Sequence, residues 1–546
     1  MIKKLAVATV VLLVLAFAGF YIVKRGLGPR DPAEFLPEGT LFYVTMGNLP
    51  RTALRWQETA LAKIGAEPDV AEALRKPLAS LMATLGVPEI DGMVRSLKPT
   101  SAFFAATGFS ATDATMAVGI QYVGGRGAFD EAVARLRKEL PPSQVESLSH
   151  GGTEILASKH GKVSLFTASV GIWGFLSSDR ALMETLIERA SGKGTGPSLA
   201  QNPNYQSVLS NLMPDADCTV FLDWQKALDG LLEIGRTLGE RPIPGQVAKL
   251  RMAKAVGASF QFDGELQRDT LFILAPGGTP PPKLSKKALA LADSRTAFFA
   301  EFRSDFRGFQ ELMGGKKLPP SLQELIEKAD ASFGPGCAIM GIWPETRKIP
   351  AAIAAIEVRD RQNAQQVVQT VCAMIPGTSM ETRGGRDIYS FPALGNPFSL
   401  PSLALMDETL LIGIDAEAVV HVAGAGQPGS PGLAQSPAFR AAMPAYESAN
   451  EMFAYLDART LFERSYNELR PWLILSAAFV PGMSKYIGPK LPETETISRH
   501  LSPIILSQNR TPEGIRFDSS GPITMTQAAV VGAAAVMSTT KSFGLR

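Results

Sequence analysis

Along most of this chain apolar and polar residues alternate with a period of two, broken by stretches in which apolar residues return every three or four positions. The period-two runs predict strands at Thr40–Met46, Ser101–Gly108, Thr115–Val123, Ile155–Ser158, Val163–Ser169 and Gly171–Ser177, and again at Ala297–Phe302, Cys337–Trp343, Ala351–Val358, Ile388–Phe391, Ser402–Met406 and Thr409–Ile414. The longer period predicts a helix carrying Leu54, Trp56 and Leu61 after the first strand, and one carrying Phe306, Phe309 and Leu312 after its later counterpart. Two further helices, Ala128–Leu140 and Asn363–Ile375, carry Val133, Leu136 and Leu140, or Val367, Val371 and Met374, on one stripe. Several strands in succession between helices indicate mostly antiparallel sheet packed by helices, an α+β class, in contrast to strict βαβ alternation.

The same order of elements occurs twice, and so do short words. Leu199-Ala200-Gln201-Asn202-Pro203-Asn204-Tyr205 is echoed by Leu433-Ala434-Gln435-Ser436-Pro437-Ala438-Phe439 at an offset of 234. Val133 maps onto Val367, Pro142 onto Pro376 and Leu222-Asp223 onto Leu456-Asp457 at that spacing, and Gly151-Gly152 onto Gly384-Gly385 at 233. A tandem duplication of homologous units is expected: residues 31–280 as the first repeat, 281–290 as a Pro-rich linker, 291–525 as the second repeat and 526–546 as a tail. The repeated words have structural explanations. Asn202 or Ser436 fits a helix N-cap accepting from first-turn amides, with Pro203 or Pro437 where a missing N–H costs nothing and Gln201 or Gln435 just outside. The Gly-Gly pairs fit hairpin turns of positive φ.

Residues 1–30 depart from both patterns. Leu5 to Val23 is one uncharged run between Lys3-Lys4 and Lys24-Arg25. As a helix it is about 28 Å long at 1.5 Å per residue, close to the hydrocarbon thickness of a bilayer. A signal-anchor helix with ends at Leu5 and Val23 is expected, placing the body outside the cytoplasm in a single-pass protein of a bacterial inner membrane. Cleavage near Ala18, in Ala16-Phe17-Ala18, would instead release a periplasmic or secreted body.

Composition narrows the chemistry. A net charge of +2 across 546 residues, with no run of five or six like charges, disfavours nucleic acid as a partner. Cys218, Cys337 and Cys372 contain no C-x-x-C, so neither a zinc site nor a disulfide framework is written here; buried inert thiols are the simplest reading, with a Cys337–Cys372 pair in an oxidising compartment as the alternative. His150, His160, His421 and His500 show no metal-ligand spacing, and His150 and His160 read as solvated loop residues. Asp215 and Asp217 read as a solvated turn. Gly424-Ala-Gly426-Gln-Pro-Gly429 satisfies G-x-G-x-x-G but follows a helix and runs into prolines, the wrong context for a dinucleotide. No cofactor, metal or catalytic residue is expected. Trp472–Met483 is too short and too Pro-interrupted to span a bilayer and reads as a core helix rather than an interfacial one, and Ala528–Met537 is too short for a second crossing.

Leu36-Pro37-Glu38-Gly39-Thr40-Leu41-Phe42-Tyr43-Val44, directly after an export segment, resembles the opening of an uncharacterised family of exported bacterial proteins known as a domain of unknown function. The resemblance covers residues 36–525. The second copy departs from it, with Asp293-Ser294-Arg295-Thr296 lacking the Leu-Pro pair. It implies an exported location and carries over no catalytic residue. The leading expectation is a non-enzymatic, membrane-tethered envelope protein with a binding or scaffold role toward another envelope protein, a polymer or lipid. The alternatives are an envelope hydrolase whose site is not written as a motif, and an apolar-ligand (lipid) binding protein.

Overall fold

The computed structural model describes residues 31–75, 96–110, 113–138, 145–160, 163–237, 239, 244–304, 319–396, 399–424, 431–479 and 491–528. The run from Leu5 to Val23 lies outside the described residues, as do Leu140, Phe306, Phe309 and Leu312, and all of Ala528–Met537 except Ala528. Among the described residues no helix is long and apolar enough to cross a membrane. The chain groups into two compact units, Met1–Gly278 with Ile474–Pro492 and Thr511–Asp518, and Thr279–Leu473 with Glu493–Arg510 and Ser519–Arg546.

In the first unit the elements are β1 (Phe42–Met46), α1 (Leu49–Glu58), α2 (Ala60–Ala66), β2 (Pro99–Phe109), β3 (Ala114–Tyr122), α3 (Arg126–Lys138), β4 (Val145–His150), β5 (Thr153–His160), β6 (Val163–Val170) and β7 (Trp173–Ser177). There follow α4 (Arg180–Ala190), α5 (Pro203–Ser210), β8 (Cys218–Leu222), α6 (Trp224–Thr237), α7 (Pro244–Leu250), β9 (Ala255–Asp263) and β10 (Leu266–Leu274). All pairings among these strands are antiparallel, in the spatial order β4-β5-β6-β7-β3-β2-β1-β8-β9-β10. Strand alternation sends Tyr43, Phe103, Ala117, Phe175, Phe221 and Phe272 to one face, where α4 and α5 cover them with Leu182, Met183, Leu186, Tyr205 and Val208. The opposite face takes α3, whose Phe129, Ala132 and Val133 pack on Tyr122 and Leu176.

The second unit contains β11 (Thr296–Arg303), α8 (Pro320–Ser332), β12 (Phe333–Ile342), β13 (Ala351–Val358), α9 (Arg361–Met374), β14 (Ser379–Arg383), β15 (Arg386–Ser390), β16 (Ser402–Leu405) and β17 (Thr409–Gly413). It continues with α10 (Ala416–Gly424), α11 (Pro437–Ser448), β18 (Met452–Leu456), α12 (Ala458–Phe479, whose residues from Ile474 on group with the first unit), α13 (Thr494–Ser498) and β19 (Ile504–Arg510); a last strand, β20, is Gly514–Gly521. The spatial order is β14-β15-β16-β17-β13-β12-β11-β18-β19, again antiparallel throughout. Phe299, Met340, Ile353, Leu411 and Phe453 line the face under α10 and α11, while α8 and α9 pack on the other side through Ala329, Ala364, Val367 and Val368. The class is α+β, with antiparallel sheet packed by helices.

Local sequence explains the turns. Gly151-Gly152 joins β4 to β5 with φ of 59° and 87°, and Gly384-Gly385 joins β14 to β15 with 57° and 74°. Two successive positive φ values define the type I′ turn, whose twist matches that of paired strands. The expected helix through Leu54, Trp56 and Leu61 is two helices. Thr59 ends α1 by donating its hydroxyl to Trp56 O at 2.7 Å and starts α2 by accepting from Ala62 N–H at 3.2 Å, leaving Leu54 exposed. Met374, expected on the buried stripe of α9, is also exposed. Within the expected linker, Leu284 is buried in the core of the second unit and Lys286 N–H donates to Glu301 Oε1 at 3.0 Å.

The QNP-like words sit at the starts of α5 and α11. Asn202 Oδ1 accepts from Tyr205 N–H at 3.1 Å, and Ser436 Oγ accepts from Phe439 N–H at 3.1 Å, with Pro203 and Pro437 as first helical residues. Gln201 and Gln435 are both exposed, and Gln201 Oε1 accepts from Ser198 N–H at 3.0 Å. Asn202 does more than cap: its Nδ2 donates to Glu38 O at 3.0 Å. Ser436→Ala should therefore cost about 1 kcal/mol and Asn202→Ala about 2 kcal/mol, with Asn202→Asp between wild type and Ala because a carboxylate caps but has no N–H for Glu38. Shifts of the urea midpoint measure this order; equal midpoints for wild type and all three variants would remove the cap argument.

Candidate interaction surfaces

The first surface is built on α12. Asp457 starts this helix, its Oδ1 accepting from Thr460 N–H at 3.0 Å and its Oδ2 from the Thr460 hydroxyl at 2.8 Å. The first half is fastened down. Arg464 donates to Trp343 O at 2.6 Å with its guanidinium 5.6 Å from the centre of that indole, and Arg470 makes a two-pronged pair with Glu493 at 2.6 and 2.9 Å. From Pro471 to Phe479 there is no charged residue. Trp472 is 69 % exposed, Phe479 78 %, Leu469 56 % and Leu475 49 %. At about 100° per residue these four positions fall within an arc of about 120°. Trp472 and its neighbours are thus not a core helix, contrary to the sequence-based expectation. Apolar content states that a face avoids water when it is offered another surface; it does not state that the fold provides one.

The second surface is the sheet face opposite α10 and α11. Residues in direct register form one row across eight strands of the second unit: Tyr389, Leu403, Ile412, Ala354, Ile339, Ala300, Ala454 and Leu506. Every member is apolar or aromatic. α9 covers the Tyr389–Leu403 end, while Ile339 and Ile412 in the middle stay exposed beside small alanines.

A third feature is a polar hollow of about 370 Å³ beside α9, lined by Arg361, Gln365, Arg386, Asp387, Tyr389 and Asp407 among others. Arg361 pairs with Asp407 at 3.2 Å, and Asp387 accepts from the Thr382 hydroxyl at 2.8 Å. Among the described residues no histidine, cysteine or serine lines it.

Buried charges elsewhere are tied into the fold. Asp217 is buried rather than solvated: it accepts from the Thr52 hydroxyl at 2.9 Å and from Phe262 N–H at 2.9 Å, with Arg55 3.4 Å away. Asp215 pairs with Arg51 at 2.5 Å and Arg55 at 3.1 Å, and those hydrogen bonds hold its carboxyl below the usual range. Glu301, in the middle of β11, accepts from the Tyr446 hydroxyl, the Ser285 hydroxyl and Lys286 N–H. Burial and the Glu301 charge push the Tyr446 phenol well above its ordinary value. His150 is a clasp, with Nε2 2.9 Å from Glu188 Oε1 on α4, not a free loop residue.

His421 on α10 lies with Nε2 2.8 Å from Asp293 Oδ2 and 2.9 Å from Arg295 Nη2. A neutral imidazole satisfies one of these contacts at a time, as donor to the carboxylate or acceptor from the guanidinium. The neighbouring hollow, lined by Ile342, Arg347, Glu417 and His421 among others, holds about 30 Å³, room for about one water. The three cysteines are free, and burial raises each thiol, Cys218 to about 12 and Cys337 to about 11, so none is a ready nucleophile. Among the described residues no group of three or more His, Cys, Asp or Glu is placed to hold a metal.

No family model matches the chain, and no curated protein matches it. Solved structures of TP0453 in crystal forms III, I and IV are similar at 10 % identity, with TM-scores of 0.25, 0.24 and 0.26. They cover 46, 46 and 45 % of this chain and 83, 81 and 81 % of those chains, an overlap too loose to carry an argument about function.

Asp293 yields a pH expectation. Burial pushes its carboxyl up, but hydrogen bonds from Arg295 and His421 outweigh this and hold it below the ordinary value of 3.8. A carboxyl depressed in the folded state contributes stability that is complete above the unfolded value and is lost as pH falls through the folded one. Asp293→Asn should unfold at lower temperature than wild type at pH 7, and the gap should shrink below about pH 4. A gap that stays constant down to pH 2 would show that the charge contributes nothing.

Proposed function

We propose that this chain is a non-enzymatic, membrane-tethered protein of the bacterial cell envelope, with a binding or scaffold role, assembled by tandem duplication of one α+β unit. The duplication is supported by the matching strand orders, by type I′ Gly-Gly turns at equivalent hairpins and by the capped, Pro-started helices α5 and α11. Hydrogen bonding at the start of each unit supports it further. Leu199 N–H donates to Leu36 O and Leu433 N–H to Ala292 O, while Glu38 N–H donates to Pro197 O and Ser294 N–H to Pro431 O. The segment from Ala292 to Thr296 thus takes the place of Leu36-Pro37-Glu38-Gly39-Thr40, which accounts for an opening word present in one copy and absent from the other.

The observation that carries the functional reading is the pairing of a bilayer-length N-terminal run with an exposed apolar helix face. The single-pass orientation with an extracytoplasmic body belongs to the same reading, and so does the absence of a nucleic-acid partner. An apolar-ligand role is the second reading, favoured by the apolar row with Ile339 and Ile412 exposed at its centre.

Reporters fused after Lys287 test the tether. One active only outside the cytoplasm should be active, and one active only inside should be silent. The chain should stay with membranes at alkaline pH, and deletion of residues 1–30 should release it. An inside-only signal, or full release of the intact chain, would overturn the reading.

A further inference from the structure

We infer that the outward stripe of α12, Leu469, Trp472, Leu475 and Phe479, lies in the interface of a lipid bilayer and makes a second membrane contact of this chain. The inference rests on the tethered reading for the nearness of the bilayer, and on α12 alone for the mode of contact.

Geometry selects the mode. The uncharged stretch Pro471–Phe479 is about 13 Å long as a helix, less than half of a hydrocarbon core, so it cannot cross and can only lie in the plane. Arg470, in its two-pronged pair with Glu493, lies on the other side of the helix from Trp472; the charged residue that shares the arc of the stripe is Glu468, one turn before Trp472, with Lys348 3.9 Å from its carboxylate. Trp472, 69 % exposed, is of the residue type that suits the headgroup level, an apolar ring with one polar N–H.

Area selects the occupant. With roughly 150–250 Å² for an aromatic side chain, the four exposed residues offer on the order of 500 Å². A stable protein partner or second copy needs about 800 Å² a side with matched shape. A bilayer needs no matched shape and accepts a stripe of any length. Residues 24–30 supply the proximity: even fully extended, these seven reach only about 25 Å, so a span ending at Val23 holds Asp31 within that distance of the membrane surface. Because Arg470 is paired with Glu493, Lys348 lies against Glu468 and no charge occurs from Pro471 to Phe479, contact should depend on apolar area, and zwitterionic lipid should suffice.

The test uses the full chain incorporated into phosphatidylcholine vesicles carrying bromine on the acyl chains, which quench only indoles in contact with lipid. Wild type and Trp472→Phe are compared, together with Leu475→Gln/Phe479→Gln. Trp56, Trp173, Trp224 and Trp343 form the common background. The emission lost in Trp472→Phe should be quenched at least about two-fold in brominated vesicles, as expected for a ring roughly 5–10 Å into the headgroup–acyl boundary. The Gln double variant should still float with the vesicles through its N-terminal run but lose that quenching.

Flotation of wild type without quenching of Trp472 would overturn the α12 contact and leave the tether standing. Failure to float would sink the tether, and vesicles added from outside then decide the contact: Trp472-dependent quenching supports it and none overturns it. A dimer in detergent that the Gln substitutions dissolve, with no lipid quenching, would overturn it in favour of a second copy.

Discussion

Each unit depends on one aromatic ring seated on the inner face of its sheet by a capped helix. Tyr205 lies at the first turn of α5 with its ring centre 5.3 Å from Phe221 and 6.0 Å from Tyr43; Phe439 lies at the first turn of α11, 5.1 Å from Tyr455 and 6.0 Å from Phe453. The backbone N–H of that same residue donates to the cap side chain, Asn202 or Ser436. Cap and plug are therefore one device. The hydrogen bond fixes where the helix begins, and the helix start fixes which strands the ring meets. Edge-to-face contacts of this kind add roughly 0.5–1.5 kcal/mol beyond the buried area, so a shift of the helix by one residue would lose both terms together.

Buried charge follows the same economy of position. Asp217 and Glu301 sit on or beside central strands, where an isolated carboxylate costs several kcal/mol, and each is surrounded by donors from elements distant in sequence. Thr52 and Phe262 converge on Asp217, and Ser285, Lys286 and Tyr446 converge on Glu301. In the second case the donors include the segment leading into the unit, so a Pro-rich stretch that reads as a spacer is held against β11. These groups specify which segments meet.

The exposed part of α12 stands apart from that pattern. Its first half is held by Arg464 and Arg470, whereas its second half offers Trp472 and Phe479 to the surroundings. A fold that satisfies buried carboxylates with three donors yet leaves an indole and a phenyl ring exposed has a surface shaped for something other than its own core.

The sequence by itself determined the elements whose cause is local. Period-two patterns located β1–β3, β5–β7, β11–β13 and β15–β17 but missed β4, β8–β10, β14 and β18–β20, period 3.6 located α3 and α9, Gly-Gly pairs located two hairpins, and the Asn-Pro and Ser-Pro words located two helix starts, because capping, turn geometry and alternation act over a few residues. Tertiary structure alone decided what depends on meeting a distant segment. Thr59 divided an expected single helix, Asp217 and His150 proved fastened where solvation was expected, Leu36 and Glu38 proved bonded to Leu199 and Pro197 and Ala292 and Ser294 to Leu433 and Pro431, and Trp472 lay outside where a core helix was expected. Period and composition report a side chain's preference for leaving water. Whether the chain brings another surface to that side chain is settled by contacts hundreds of residues apart, and no local pattern encodes them.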